Sequence, residues 1–223
     1  MQYLIKQVDS PPPLNGDWND PAWQSAEVLD VDNFLSNSGG HRPKVQARVL
    51  YHGEGLSVFF QVDDRYVRCV HPNHQDHVYE DSCVEFFVQP KSDKGYVNFE
   101  INCGGAMLVH YNEHKIHDCK PVHDQQELTA EWLSRVEVYH SMPSRIEPEI
   151  DEPVQWQLQY NVPFALLGER VGSLGNVAGQ TWRANFFKCA DLCSRPHWAS
   201  WSPIKDGFNF HQPKYFGTLR FEG

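Results

Sequence analysis

Apolar and polar residues alternate along most of this chain with the period of two that a half-buried β-strand imposes. Gln155 to Val162 shows it most cleanly: Trp156, Leu158, Tyr160 and Val162 fall on one face, Gln155, Gln157, Gln159 and Asn161 on the other. The same alternation marks Val45–Tyr51, Leu56–Val62, Cys83–Gln89, Tyr96–Cys103, Arg135–Tyr139, Thr181–Lys188 and Phe216–Phe221. Turn-forming residues separate the runs, as in Pro90–Gly95 and Asn102–Gly105. Amphipathic helix is confined to a short turn around Pro163–Glu169. So many short strands with so little helix predict an all-β chain, an antiparallel β-sandwich of jelly-roll type, folded as a single domain over residues 1–223. Ser36–Pro43, Val70–Tyr79 and Ala190–Pro213 read as long loops. The last carries Trp198, Trp201, Phe208 and Phe210, aromatics that either pack or form a site.

Composition narrows the partners. The hydrophobic share of 40% with 13% aromatics supports a packed core in a chain of 223 residues, without disulfide staples. The net charge is −10 and no run of Lys and Arg occurs, which argues against nucleic acid and anionic membranes. No stretch approaches the roughly 20 apolar residues of a membrane span. The first residues hold only the apolar run Tyr3–Ile5 before Pro11, Pro12 and Pro13, which does not read as a signal peptide. The cysteines stand at 69, 83, 103, 119, 189 and 193, and those at 83 and 103 fall inside strand-like runs. They read as reduced thiols, which leans towards an intracellular setting.

The polar strand faces carry unusual residues. Glu85, Asn98, Glu100, Asn102, Arg183 and Asn185 are planar and fork-shaped, where an ordinary solvated face mixes Lys and Glu. Such groups suit either paired sugar hydroxyls or a buried polar network. Glu85 and Arg183 should lie opposite core residues Val84 and Phe86, Trp182 and Ala184, and so either pair with each other or flank a ligand. Trp18, Trp23, Trp156 and Trp182 read as core. The histidines at 71, 74 and 77, and at 110, 114 and 117 beside Asp118 and Cys119, keep a metal- or haem-binding sandwich open as an alternative. Glu80 with Asp81, or Glu85 with Glu100, offers a second alternative, a glycoside-active enzyme using paired carboxylates. No nucleophile-elbow, zinc-protease or phosphate-loop motif is present.

Three stretches carry a family resemblance: Asn15-Gly16-Asp17-Trp18 through Trp23; Glu80-Asp81-Ser82-Cys83-Val84-Glu85-Phe86-Phe87-Val88 with Tyr96-Val97-Asn98-Phe99-Glu100-Ile101-Asn102; and Trp182-Arg183-Ala184-Asn185-Phe186-Phe187-Lys188-Cys189 continuing through Trp201-Ser202-Pro203-Ile204 to Phe216-Gly217. Together they resemble the family 9 carbohydrate-binding modules, and in particular stand-alone proteins of that type. The resemblance implies a β-sandwich that binds a saccharide or glycan without hydrolysing it and requires no cofactor, although structural calcium occurs in such modules. It implies that Tyr79, six positions before the strand glutamate Glu85, takes the place of a stacking Trp. The second stacking ring would be one of Trp198, Trp201, Phe208 or Phe210. Glu85, Asn98, Arg183 and Asn185 would hydrogen-bond the sugar, assisted by Lys188 or His211.

Overall fold

A computed structural model describes the backbone at residues 1–117 and 120–223, and the side chains outside 114–123. Among the described residues the regular structure is mostly β, with little helix. Its strands are β1 (Gln2–Gln7), β2 (Leu29–Asp30), β3 (Asn33–Phe34), β4 (Lys44–His52), β5 (Gly55–Asp64), β6 (Val67–Cys69), β7 (Cys83–Gln89) and β8 (Tyr96–Asn102). They continue as β9 (Met107–His117), β10 (Lys120–Glu127), β11 (Glu137–His140), β12 (Ile146–Ile150), β13 (Val154–Pro163), β14 (Thr181–Ala190), β15 (His197–Ser200) and β16 (Gly217–Phe221). Two short α-helices, α1 (Ala130–Leu133) and α2 (Phe164–Val171), and three single 3-10 turns at Pro21–Trp23, Val78–Glu80 and Pro213–Tyr215 interrupt them. Thr129 caps α1 by accepting the Trp132 N–H, and α2 stops at Gly172, whose φ of 77° suits glycine.

The strands form one large curled sheet in the order β10-β9-β8-β7-β14-β16-β1-β4-β5-β13-β11, with β15, β3 and β2 attached at its side and β12 paired separately with β6. The expectation of a purely antiparallel arrangement needs correcting, because β1 runs parallel to both β16 and β4 and the sheet is mixed. Parallel neighbours need long connections between them. β16 and β4 are both distant from β1 in sequence, so the alternation within each run could not reveal this pairing.

The period of two does what the pattern predicts. On β13, Trp156, Leu158, Tyr160 and Val162 enter the main core, and Val84, Phe86 and Val88 of β7 and Val97, Phe99 and Ile101 of β8 meet them there. Trp23, Trp156 and Trp182 are fully buried, while Trp18 is half-buried on Phe59 with the Arg48 guanidinium 4.4 Å above its ring. Strands β7 and β8 are buried on both faces. Their second face, bearing Glu85, Asn98, Glu100 and Asn102, is therefore covered rather than solvated. Part of the predicted loop Ala190–Pro213 is strand β15, held on β14 by the register Cys189↔Trp198. The five described cysteines are free thiols; Cys119 lies outside the described residues. No described helix is long and apolar enough to cross a membrane.

Candidate functional site

The second face of β7, β8, β9, β10 and β14 forms the floor of a cleft of about 500 Å³. Strand register sets its layout. Glu85 lies opposite Glu100, Cys83 opposite Cys189, Glu100 opposite Leu108, and His110 opposite both Asn98 and Glu127. Around this floor stand His77 and Tyr79, Asp191 and Trp198, and Phe208, Asn209, Phe210 and His211, with Tyr79, Trp198 and Phe210 packed on the cluster that holds Cys83 and Cys189.

Each wall is fixed by buried polar chemistry. Asp81, fully buried, accepts the backbone N–H groups of Val70 and His71 and the Asn102 side-chain amide, all at 3.0 Å. This ties down the segment that presents Tyr79. Gln75, at φ 64°, donates to the Val109 and Leu128 carbonyls and accepts from the Val109 N–H, so the same segment is tied to β9. The Tyr79 ring stacks on His77 with centroids 5.5 Å apart. Phe210 stacks on Phe187 at 4.2 Å, and His211 Nδ1 meets the Tyr96 hydroxyl at 2.7 Å. The Trp198 indole donates to Asp191 at 2.6 Å. Phe208 stands 61% exposed at the rim, an unusual position for a large ring.

The floor is short of positive charge. Burial first, then Cys189 and Glu100, push the Glu85 carboxyl well above its ordinary range. Burial raises Glu100 to about 7 against the opposing Asn98 hydrogen bond, and burial also raises Asp191. The Cys189 thiol is pushed up by burial and by Cys83.

Of the side chains the sequence nominates, Tyr79, Glu85, Trp198, Phe208, Phe210 and His211 line this cleft. Asn98 lies beneath it: it donates to Glu100 at 2.7 Å, accepts from Asn112 at 2.6 Å, and so orients Glu100 rather than facing the opening. The others lie elsewhere. Arg183 sits opposite Gln89, four residues along β14 from the partner of Glu85, and donates to the Phe216 and Lys214 carbonyls, so it does not pair with Glu85. Asn185 anchors the loop after β15 by bonding both the N–H and the carbonyl of Ser202. Trp201 is 3% exposed and packs edge-on against Phe186. Lys188 points through to the core face, where its Nζ lies 3.6 Å from Asp64, both side chains fully buried.

Among the described residues the clustered histidines do not converge with other metal-type side chains as one ligand set. His71 sits between Asp76 and Glu80 at 3.1 and 3.0 Å, and His74 accepts the Met107 N–H. His110 faces the cleft, whereas the side chains of His114, His117, Asp118 and Cys119 lie outside the described ones. Sequence reasoning missed His77, His110, Asp191 and Glu127 as lining residues. The sequence offered His110 only as a possible metal ligand, and its place in the cleft emerges from the pairing of β9 with β8.

The second face of the curled sheet thus opens into a cleft lined by rings, carboxyls and imidazoles. The sequence matches the model of carbohydrate-binding family 9 over residues 21–221, and the chain belongs to that family. A crystal structure of a provisionally assigned carbohydrate-binding protein from Bacteroides uniformis is 29% identical over 99% of each chain, with a TM-score of 0.86. A family 9 module from Caldicellulosiruptor kristjanssonii shares the fold at 12% identity. Its complex with glucose gives a TM-score of 0.63 over 99% of this chain and 96% of that one. Its complex with cellotriose gives 0.65 over 100% and 94%. No curated protein matches the sequence.

Proposed function

We propose that this protein binds a saccharide reversibly, without chemistry, in the cleft over β7–β10 and β14. The observation that carries the reading is the convergence of Tyr79, Trp198 and Phe210 with Glu85, Glu100 and His211 round one opening. Rings cover the apolar C–H face of a sugar, and planar polar groups hold its hydroxyls. The volume suits a mono- or disaccharide unit. Membership of the family and the glucose and cellotriose complexes of the Caldicellulosiruptor module make glucose and β-linked glucose oligomers the first ligands to try. The way the sheet curls over its own core is read here as the sandwich of that family.

Calorimetric titration with glucose, cello-oligosaccharides and a panel of other sugars tests this. Saturable binding is expected, and Tyr79→Ala should weaken it by about tenfold, the equivalent of 1.4 kcal/mol for a lost stacking face. Absence of binding to every sugar at millimolar concentration, or an unchanged affinity in Tyr79→Ala, contradicts the site.

One observation favours the glycosidase alternative: Glu85 and Glu100 stand directly opposite each other. Hydrolysis, however, needs one carboxyl held protonated and its partner held ionised. Here burial raises both, Glu100 to about 7, so neither is held firmly ionised at or below neutral pH. Sustained release of product from aryl glycosides or oligosaccharides would reverse this preference.

A further inference from the structure

At the cleft floor, two adjacent strands bring together two thiols and a carboxyl, the last of them, Glu85, shared with the proposed sugar site. Cys83 and Cys189 are direct cross-strand partners on β7 and β14, and Glu85 follows Cys83 on the same face. Cys189 Sγ lies 3.0 Å from Glu85 Oε1, and one ligand atom from each of the three residues falls within 4.8 Å of the others. All three are nearly inaccessible: Cys83 is 0% exposed, Cys189 2% and Glu85 3%. Among the described residues no other group of three such side chains converges in this way.

We propose that Cys83, Glu85 and Cys189 hold one thiophilic divalent cation of the zinc class, with its fourth position open to the cleft. Two sulfurs and one carboxylate oxygen are a donor set for zinc, which takes S at about 2.3 Å and O at about 2.0–2.2 Å in a tetrahedron. Atoms at those bond lengths stand about 3.5 Å apart, so small side-chain rotations close the site from the arrangement seen. The set does not suit calcium, which wants six to eight oxygens. Position points the same way. Glu85 and Cys189 line the cleft while Cys83 lies just below it, so three protein ligands occupy one side of the ion and leave the other facing the opening. That is the layout of zinc sites that bind an exchangeable fourth ligand. The lysine of the neighbouring strand position does not supply the missing positive charge, because Lys188 turns to the other face and to Asp64. A bound cation would both pair the buried carboxylate and convert the thiols to thiolates. The cation site shares Glu85 with the proposed sugar site, but its donor set stands on Cys83, Glu85 and Cys189 without reference to any sugar.

The test uses the full chain kept reduced and freed of metal by chelation. Titration with Co²⁺ should give one equivalent of binding with a thiolate-to-cobalt charge-transfer band in the near ultraviolet, displaced by one equivalent of Zn²⁺. Cys83→Ser and Cys189→Ser should abolish the band, and Glu85→Gln should weaken Zn²⁺ binding by more than about 100-fold, since even outer partners of a ligand cost 10–100-fold. Cys69→Ser should leave both readings intact, because Cys69 bonds Ser144 and lies away from the cleft. Circular dichroism on each variant verifies the fold, and Glu85→Gln keeps both thiols if either serine variant unfolds. The proposal fails if Co²⁺ gives no thiolate band, if the band survives in Cys83→Ser with Cys189→Ser, or if the untreated protein carries a Cys83–Cys189 disulfide by mass.

Discussion

Lys188 and His197 show how far a single residue's meaning depends on which face of a strand it takes. By composition Lys188 is a hydrogen-bonding group beside the cleft, yet it lies among core residues, paired with Asp64 and 5.9 Å from the Trp156 ring. Asp64 is further held by His41 at 2.7 Å and by the Trp156 indole at 3.2 Å, which is how a buried carboxylate stays ionised. His197 belongs to the same buried network. It is 0% exposed, burial and the Lys188 charge depress its pKa to about 3, and the ordinary value is 6.5. The unfolded chain therefore binds that proton more tightly than the folded one. Stability from His197 is present in full above about 6.5 and is lost as pH falls towards about 3. The loss is on the order of a few kcal/mol if the whole window is crossed. Urea midpoints measured between pH 7 and pH 4 should fall more steeply in the native protein than in His197→Gln, whatever the variant's starting stability. Parallel curves would show that His197 does not titrate with unfolding.

At the level of elements, the strands themselves were legible and their neighbours were not. The alternation in Val45–Tyr51, Leu56–Val62 and Gln155–Val162 falls inside β4, β5 and β13, and the helical turn at Pro163–Glu169 overlaps α2, which starts one residue later. Strands β9 and β10 escaped because their residues are mainly polar, and β15 escaped because it is only His197–Ser200 within a long aromatic segment. The planar residues on β7, β8 and β14 stood out in the sequence. Their division into cleft (Glu85), support (Asn98), loop anchor (Asn185) and core (Lys188) did not, because strands buried on both faces give alternation no inside or outside to report. Asp81 is the case with consequences. It precedes β7 and binds the segment carrying Tyr79 through Val70, His71 and Asn102. Asp81→Ala should cost about 3 kcal/mol by leaving buried donors unpaired. It should also raise amide exchange at residues 70–80 and weaken any saccharide binding through the loss of Tyr79's position. Unchanged exchange there would mean that the segment is held by Gln75 and the backbone instead.

Across the whole molecule, β1 decides how the curled sheet holds together. Gln2 to Ile5 pair with Thr218 to Phe221 on β16, and then Lys6 and Gln7 pair with Leu50 and Tyr51 on β4. One short strand thus joins the half that carries the cleft to the half built from β4, β5, β13 and β11. Side chains reinforce the seam. The Tyr3 hydroxyl donates to the Glu27 carbonyl at 2.6 Å and accepts the Val49 N–H at 3.0 Å, while the Glu222 N–H returns to the Ile5 carbonyl at 2.9 Å. Ile5 is 0% exposed and lies in the same core cluster as Trp156, Phe186 and Phe221, residues drawn from both halves. Ile5→Ala removes apolar volume at this seam, and a buried truncation of that size costs about 2–5 kcal/mol. If the halves form one cooperative unit, the cost is shared. Native-state hydrogen exchange should then quicken by a common free energy in the slowest amides of β7 and β14 and in those of β5 and β13, and the urea midpoint should be the same by tryptophan fluorescence and by circular dichroism. Exchange that quickens in one half while the other keeps its protection would show that β1 tethers two separately stable sheets, and that the cleft owes its rigidity to β7, β8 and β14 alone.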